Sequence, residues 1–136
     1  MVTLGDEGWA VAGGDGTYPF TLTEGVNFTT NLGISTLDFG TFHMYPDSWT
    51  VNTTTWATEW IQTHGAACVK ANKPCLFEEY GYPRDHVATE QPWQQTSLAT
   101  EGVAGDLFWQ LGTVLASGSR TSDDSESTFN YARVPY

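Results

Sequence analysis

Two carboxylates stand side by side in KPCLFEEYGYP (73–83), Glu78 and Glu79, directly after a short apolar run. A carboxylate at the end of a strand can act as the nucleophile of glycoside hydrolysis when a second carboxylate stands across the scissile bond as acid/base. Retaining enzymes hold such a pair roughly 5–5.5 Å apart. The same pair can equally be the solvated end of a strand. Alternation along a strand sends only one of the two inward, so Glu78 is expected to face away from Glu79. His43 and Tyr45 in FHMY are two residues apart and share a strand face, where they could hydrogen-bond a sugar hydroxyl or orient a carboxylate. His43 by itself reads just as well as a satisfied core histidine. Trp109 in DLFWQLG is either core or a floor on which a sugar ring stacks.

Other chemistries find little support. His43, His64 and His86 are scattered, without HExxH or CxxC spacing, so no metal is expected. There is no GxSxG elbow for a serine nucleophile. The Gly-rich stretch VAGGDGTYPFT (11–21) matches neither GxGxxG nor GxxxxGK[ST], so no phosphate cradle and no cofactor are expected.

Those residues need elements to carry them. Four mostly apolar runs, MVTLG (1–5), TLDFGTFHMY (36–45), PCLFEEYG (74–81) and GDLFWQLG (105–112), begin about 30 to 38 residues apart, the length of a βα unit. Unbroken apolar runs predict buried parallel strands. Between them, helical spacing predicts a helix over 53–72, with Trp56, Ala57, Trp60, Ile61 and Ala67 inward and a Thr-rich start able to cap it. A second helix is expected over 91–104 with Pro92 in its first turn, and a weaker one over 23–34. The fold class is therefore α/β, about four βα units that make either an open parallel sheet or a partial (β/α)8 TIM barrel. Asp6 and Glu7, His43 and Tyr45, Glu79, and Trp109 all fall at C-terminal strand ends, where parallel α/β folds place their sites. Residues 1–115 hold these units. Residues 116–136, polar and Ser-rich, are expected to be a loop-like or poorly ordered tail.

The 136 residues carry a net charge of −11, from 16 acidic and 5 basic side chains. No basic stripe exists to meet phosphate, so nucleic acid is not an expected partner, and no run approaches a membrane span. Cys68 and Cys75 can close a small loop as a disulfide or remain two thiols; their even count favours the bridge. The sequons NFT at Asn27 and NTT at Asn52 are glycosylation candidates. These features suit a secreted chain whose signal peptide would lie in a missing N-terminal portion.

Taken together, DFGTFHMYPDSW, KPCLFEEYG and GDLFWQLG, with VTLGDEGW and YPFTLTEGVNF before them, resemble the fungal endo-β-1,4-mannanases of glycoside hydrolase family 5 over about residues 1 to 115. The resemblance implies the C-terminal half, strands five to eight, of a barrel that cleaves β-1,4-mannan with retention. Glu79 matches the family's nucleophile, His43 and Tyr45 its active-site His-x-Tyr, and Trp109 its substrate-stacking Trp. Glu7 matches a carboxylate near the cleft, and the Cys68–Cys75 bridge fits the family pattern. The family's acid/base is the Glu of an Asn-Glu dipeptide, and this chain contains no Asn-Glu. The expectation is a fragment with a nucleophile but no acid/base, weak or inactive alone, whose partners are β-mannan and a complementary N-terminal half. The alternatives are an inactive mannan-binding module and a hydrolase of another β-1,4-glycan.

Overall fold

A computed structural model describes residues 1–121 and the backbone of 129–130. The expected tail at 122–128 and 131–136 lies outside the described residues. In chain order the elements are α1 (Phe28–Leu32), β1 (Gly40–Met44), α2 (Thr55–Ala71), β2 (Cys75–Tyr80), α3 (His86–Ala99), β3 (Val103–Asp106), and the two-residue strands β4 (Leu111–Gly112) and β5 (Phe129–Asn130). β1, β2 and β3 form a parallel sheet in that order, and β4 pairs in parallel with β5. The architecture is a partial α/β barrel with successive βα units, as the spacing predicts.

Three of the expected elements are corrected. The first run, 1–5, forms no strand. It lies beside β1, with the Asp38 amide donating to the Val2 carbonyl at 2.8 Å and the His43 amide to the Glu7 carbonyl at 3.0 Å. Gly5 at φ +65 and Gly8 at φ +93 turn the chain out of extended geometry, so a continuous ladder cannot form. The fourth run, 105–112, splits into β3 and β4. Between them the Leu107 and Trp109 amides still donate to the Phe77 and Tyr80 carbonyls at 2.9 and 2.8 Å. Finally, α3 begins at His86 and holds Pro92 inside it. A buried Glu90, one turn into the helix, accepts from the Tyr82 amide at 2.9 Å and lies 3.0 Å from His86 Nδ1. Those contacts organise a turn ahead of the proline, which by itself removes one helical hydrogen bond.

α2 covers the sheet with Trp60, Ile61, His64, Gly65 and Cys68. Behind the strands Phe42 stacks on Phe77 at 4.8 Å, and His64 lies flat on Phe42 at 4.3 Å. Gly65 is required by close approach: a Cβ there would fall 2.6 Å from the Glu101 carbonyl oxygen. The cap of α2 also differs from expectation. Thr54 makes no side-chain cap bond; Asn52 Oδ1 instead accepts from the Thr54 and Thr55 amides at 2.7 and 3.1 Å. Asn27 caps α1 in the same way, through the Thr30 amide at 2.8 Å. Both sequon asparagines thus use the side-chain oxygen and leave the amide nitrogen, the atom a glycan would take, out of the cap.

Cys68 on α2 and Cys75 at the start of β2 form a disulfide, with their Cα atoms 6.0 Å apart. It closes a loop of sequence separation 7, for which chain entropy gives a stabilisation of about 2.5 kcal/mol. Reduction should lower the unfolding free energy by that amount without changing the denaturant slope much, measured by tryptophan fluorescence in urea with and without reductant.

His64 is fully buried, with Nδ1 2.8 Å from the Trp60 carbonyl and Nε2 2.7 Å from the Gly8 carbonyl. Burial pushes its pKa from the ordinary 6.5 down to about 4, against the opposing pull of the two carbonyls. The unfolded chain therefore takes up this proton at higher pH than the folded one. Stability from the neutral ring is complete above pH 6.5 and is lost as pH falls toward 4, about 3 kcal/mol in all. An NMR titration should find the His64 ring neutral at about pH 5.5, between those two values; a ring that titrates near 6.5 in the folded chain would contradict this.

Candidate active site

The C-terminal ends of β1 and β2 bring together three of the residues singled out by sequence. Tyr45 Oη donates to Glu79 Oε2 at 2.6 Å. His43 Nδ1 lies 3.6 Å from the same oxygen, while its Nε2 lies 3.2 Å from Glu78 Oε2. Alternation along β1 accounts for the first pairing: Phe42 and Met44 are buried toward the helices, and His43 points to the other face. Behind that face the Trp60 indole donates to the His43 carbonyl at 2.8 Å. Tyr45 is braced edge-on by Trp49, at 6.4 Å and 88°.

Glu78 does not face away from Glu79 as alternation predicts. Phe42 pairs with Phe77, but the next residue, His43, pairs with Glu79, which leaves Glu78 as an extra residue on β2. Such a bulge places two successive residues opposite one and re-aims their side chains. Burial along β2 records the break: Glu78 and Glu79 are both half-buried between buried Phe77 and buried Tyr80. Both carboxylates therefore reach one imidazole. The adjacent EE dipeptide was the visible signal, but a bulge is a matter of pairing register, which the sequence does not display.

The remaining candidates sit at the same end with looser geometry. Glu7 is exposed, and the contact that ties it to the site is through its backbone, whose carbonyl accepts from the His43 amide at 3.0 Å. Trp109 runs alongside Tyr80 through its amide and is 40% exposed. Tyr80, next to Glu79, turns to the opposite side. Its hydroxyl donates to Asp106 Oδ1 at 2.7 Å and accepts from Gln94 at 2.8 Å; burial first, then Asp106, raises its pKa well above the usual phenol value. Missed by sequence reasoning were Trp49, Tyr82 and Arg84. Arg84 bonds Asp47 at 2.8 Å and lies over the Tyr82 ring at 5.1 Å, and so joins the loops that follow β1 and β2. Among the described residues, no three His, Cys, Asp or Glu side chains gather as metal ligands, and no helix is long and apolar enough to cross a membrane.

Over 124 residues, 91% of its length, the chain is 55% identical to mannan endo-1,4-beta-mannosidase A of Hypocrea jecorina. By sequence the chain is similar to part of the fungal endo-β-1,4-mannanases. It is also 56% identical over 124 residues to a probable mannan endo-1,4-beta-mannosidase F of Emericella nidulans. It spans only 28% of the length of each of these relatives. Among solved structures, the endo-1,4-beta-mannanase of Rhizomucor miehei superposes with a TM-score of 0.80 and 35% identity, over 96% of this chain and 35% of that one. The endo-beta-1,4-mannanase of Thermotoga petrophila gives 0.80 and 27%, over 96% and 32%. No protein-family model matches the chain. The mannanase relationship agrees with the parallel sheet and with the bridge between Cys68 and Cys75.

Proposed function

We propose that this chain supplies the nucleophile half of a retaining endo-β-1,4-mannanase. The observation that carries the reading is the 2.6 Å hydrogen bond from Tyr45 to Glu79, at the C-terminal end of a parallel strand in a chain of mannanase sequence. A hydroxyl donated to one carboxylate oxygen fixes the plane of the group. Glu79 then attacks the anomeric carbon, and the glycosidic oxygen leaves as an acid protonates it. Water, deprotonated by the same acid/base residue, releases the sugar from the glycosyl-enzyme ester. Trp109 offers its half-exposed ring to a sugar face, and His43 and Glu7 line the cleft.

The acid/base is a second carboxylate contributed from outside these 136 residues, in the portion of the curated relatives, more than two thirds of their length, that this chain does not span. That portion would also cover the apolar surface exposed at Leu4, Leu107, Phe108 and Leu111. The substrate is β-mannan. The disulfide and the two sequons support passage through an oxidising, secretory compartment. The missing acid, together with the exposed Trp109, also favours a second reading, in which the chain alone binds mannan without cleaving it.

One assay separates these readings. The chain is tested on galactomannan alone and after mixing with, or fusion to, the N-terminal part of a fungal relative. Hydrolysis in the completed barrel, abolished by Glu79→Gln, supports the enzyme. Retardation of the chain alone on mannan affinity gels, lost in Trp109→Ala, without hydrolysis in the completed form, supports the binding module.

A further inference from the structure

The bulge at Glu78 leaves a feature that nucleophilic attack by Glu79 does not use. Glu78 Oε2 lies 3.2 Å from His43 Nε2 while the other ring nitrogen lies 3.6 Å from Glu79, so a single imidazole is held between two neighbouring carboxylates. A carboxylate only accepts hydrogen bonds, so the hydrogen in the Glu78 contact belongs to His43 Nε2. The 3.6 Å separation on the Nδ1 side is too long for a hydrogen bond. Of the two contacts, the one to Glu78 is therefore the one that sets the ring's plane.

The backbone bonds of His43 do not set the ring. Its amide donates to the Glu7 carbonyl and its carbonyl accepts from the Trp60 indole; both bonds hold backbone. Tyr45, just beyond the same strand, donates its hydroxyl to Glu79. From β3, Asp106 is engaged by Tyr80 on the opposite side of β2.

We propose that Glu78 is a positioning residue: by accepting the Nε2 hydrogen of His43 it fixes the imidazole against Glu79 and so restricts the rotamers and hydration of the nucleophile. The bulge has a function on this view. A regular β2 would send Glu78 to the helix side and leave the ring free to rotate. The proposal rests on the reading of Glu79 as nucleophile, and the test keeps the two apart.

The first measurement is the long-range ¹⁵N–¹H spectrum of the His43 ring in the full chain, which needs no activity. The wild-type chain should show a hydrogen fixed on Nε2. Glu78→Gln, whose amide oxygen still accepts, should keep that signature, and Glu78→Ala should give exchange between the two ring nitrogens. The side chain of Glu78 is 31% exposed, so the truncation leaves the core in place. The second measurement is made in the barrel completed with a relative's N-terminal part. Glu78→Ala should lower kcat about tenfold with KM changed less than about twofold, the pattern of a lost transition-state interaction, and Glu78→Gln should recover most of the loss. An unchanged His43 spectrum in Glu78→Ala overturns the proposal, as does a changed spectrum with unchanged kcat. A completed barrel in which Glu79→Gln stays active overturns the nucleophile reading instead, while the spectrum still decides whether Glu78 holds the ring.

Discussion

Glu79→Gln should lower hydrolysis of galactomannan by roughly 10³-fold or more in the completed barrel. An amide is isosteric with the carboxylate but carries no charge to form the glycosyl ester, and the second carboxylate cannot replace it because it stands on the other side of the sugar. The effect should fall almost wholly on kcat, since the oxygen of the introduced amide can still accept the Tyr45 hydrogen bond that fixes the side chain at 2.6 Å. Tyr45→Phe removes that bond and leaves the charge. A hydrogen bond to an ionised group contributes about 1.5–3 kcal/mol, so this variant should lose roughly 10- to 100-fold. Initial-rate kinetics on mannotetraose and galactomannan check both. If Glu78→Gln abolished activity and Glu79→Gln did not, the roles of the neighbouring carboxylates would be exchanged.

Gly8→Ala should unfold or severely destabilise the chain, by roughly 3–5 kcal/mol from strain and overpacking together. Gly8 has φ +93, and a Cβ there would stand 2.5 Å from Phe42 Cβ and 2.6 Å from His64 Nε2. Neither neighbour can move: Phe42 is stacked between His64 and Phe77, and His64 is bonded to the Gly8 carbonyl itself at 2.7 Å. The damage should reach the site, because this turn follows Glu7, whose carbonyl holds the His43 amide. Urea denaturation followed by tryptophan fluorescence measures the loss. Gly16→Ala is the control, since it also has positive φ but meets nothing within 4 Å, and it should cost only the backbone strain of about 1 kcal/mol.

Local pattern and long-range geometry divide unevenly among these residues. The spacing of Trp56, Ala57, Trp60 and Ile61 reports a buried helix face, because one side of a helix repeats every 3.6 residues whatever lies against it. The α2 helix accordingly runs 55–71 against an expected 53–72. The core of β2, Cys75–Tyr80, falls within the predicted 74–81 for a related reason. A strand covered by helices is a short apolar run, and that composition is local. Pro92 misled because a proline is a good first-turn residue in isolation. The turn that precedes it is organised by Glu90 reaching back to the Tyr82 amide, a contact between the helix and the preceding loop.

By itself the sequence determined the order of the βα units from β1 to β3, the place of His43, Tyr45 and Glu79 at the C-terminal ends of β1 and β2, and the kinship with mannanases, because composition, period and motif are carried by neighbours along the chain. Only the tertiary structure decided that residues 1–5 lie beside β1 without becoming a strand, that Cys68 meets Cys75, and that both Glu78 and Glu79 reach His43. Each depends on how one segment registers against another. A shift of one residue between Phe42 and His43 turns a carboxylate from one face of the sheet to the other, and pairing energy, not the residue's own preference, sets that shift.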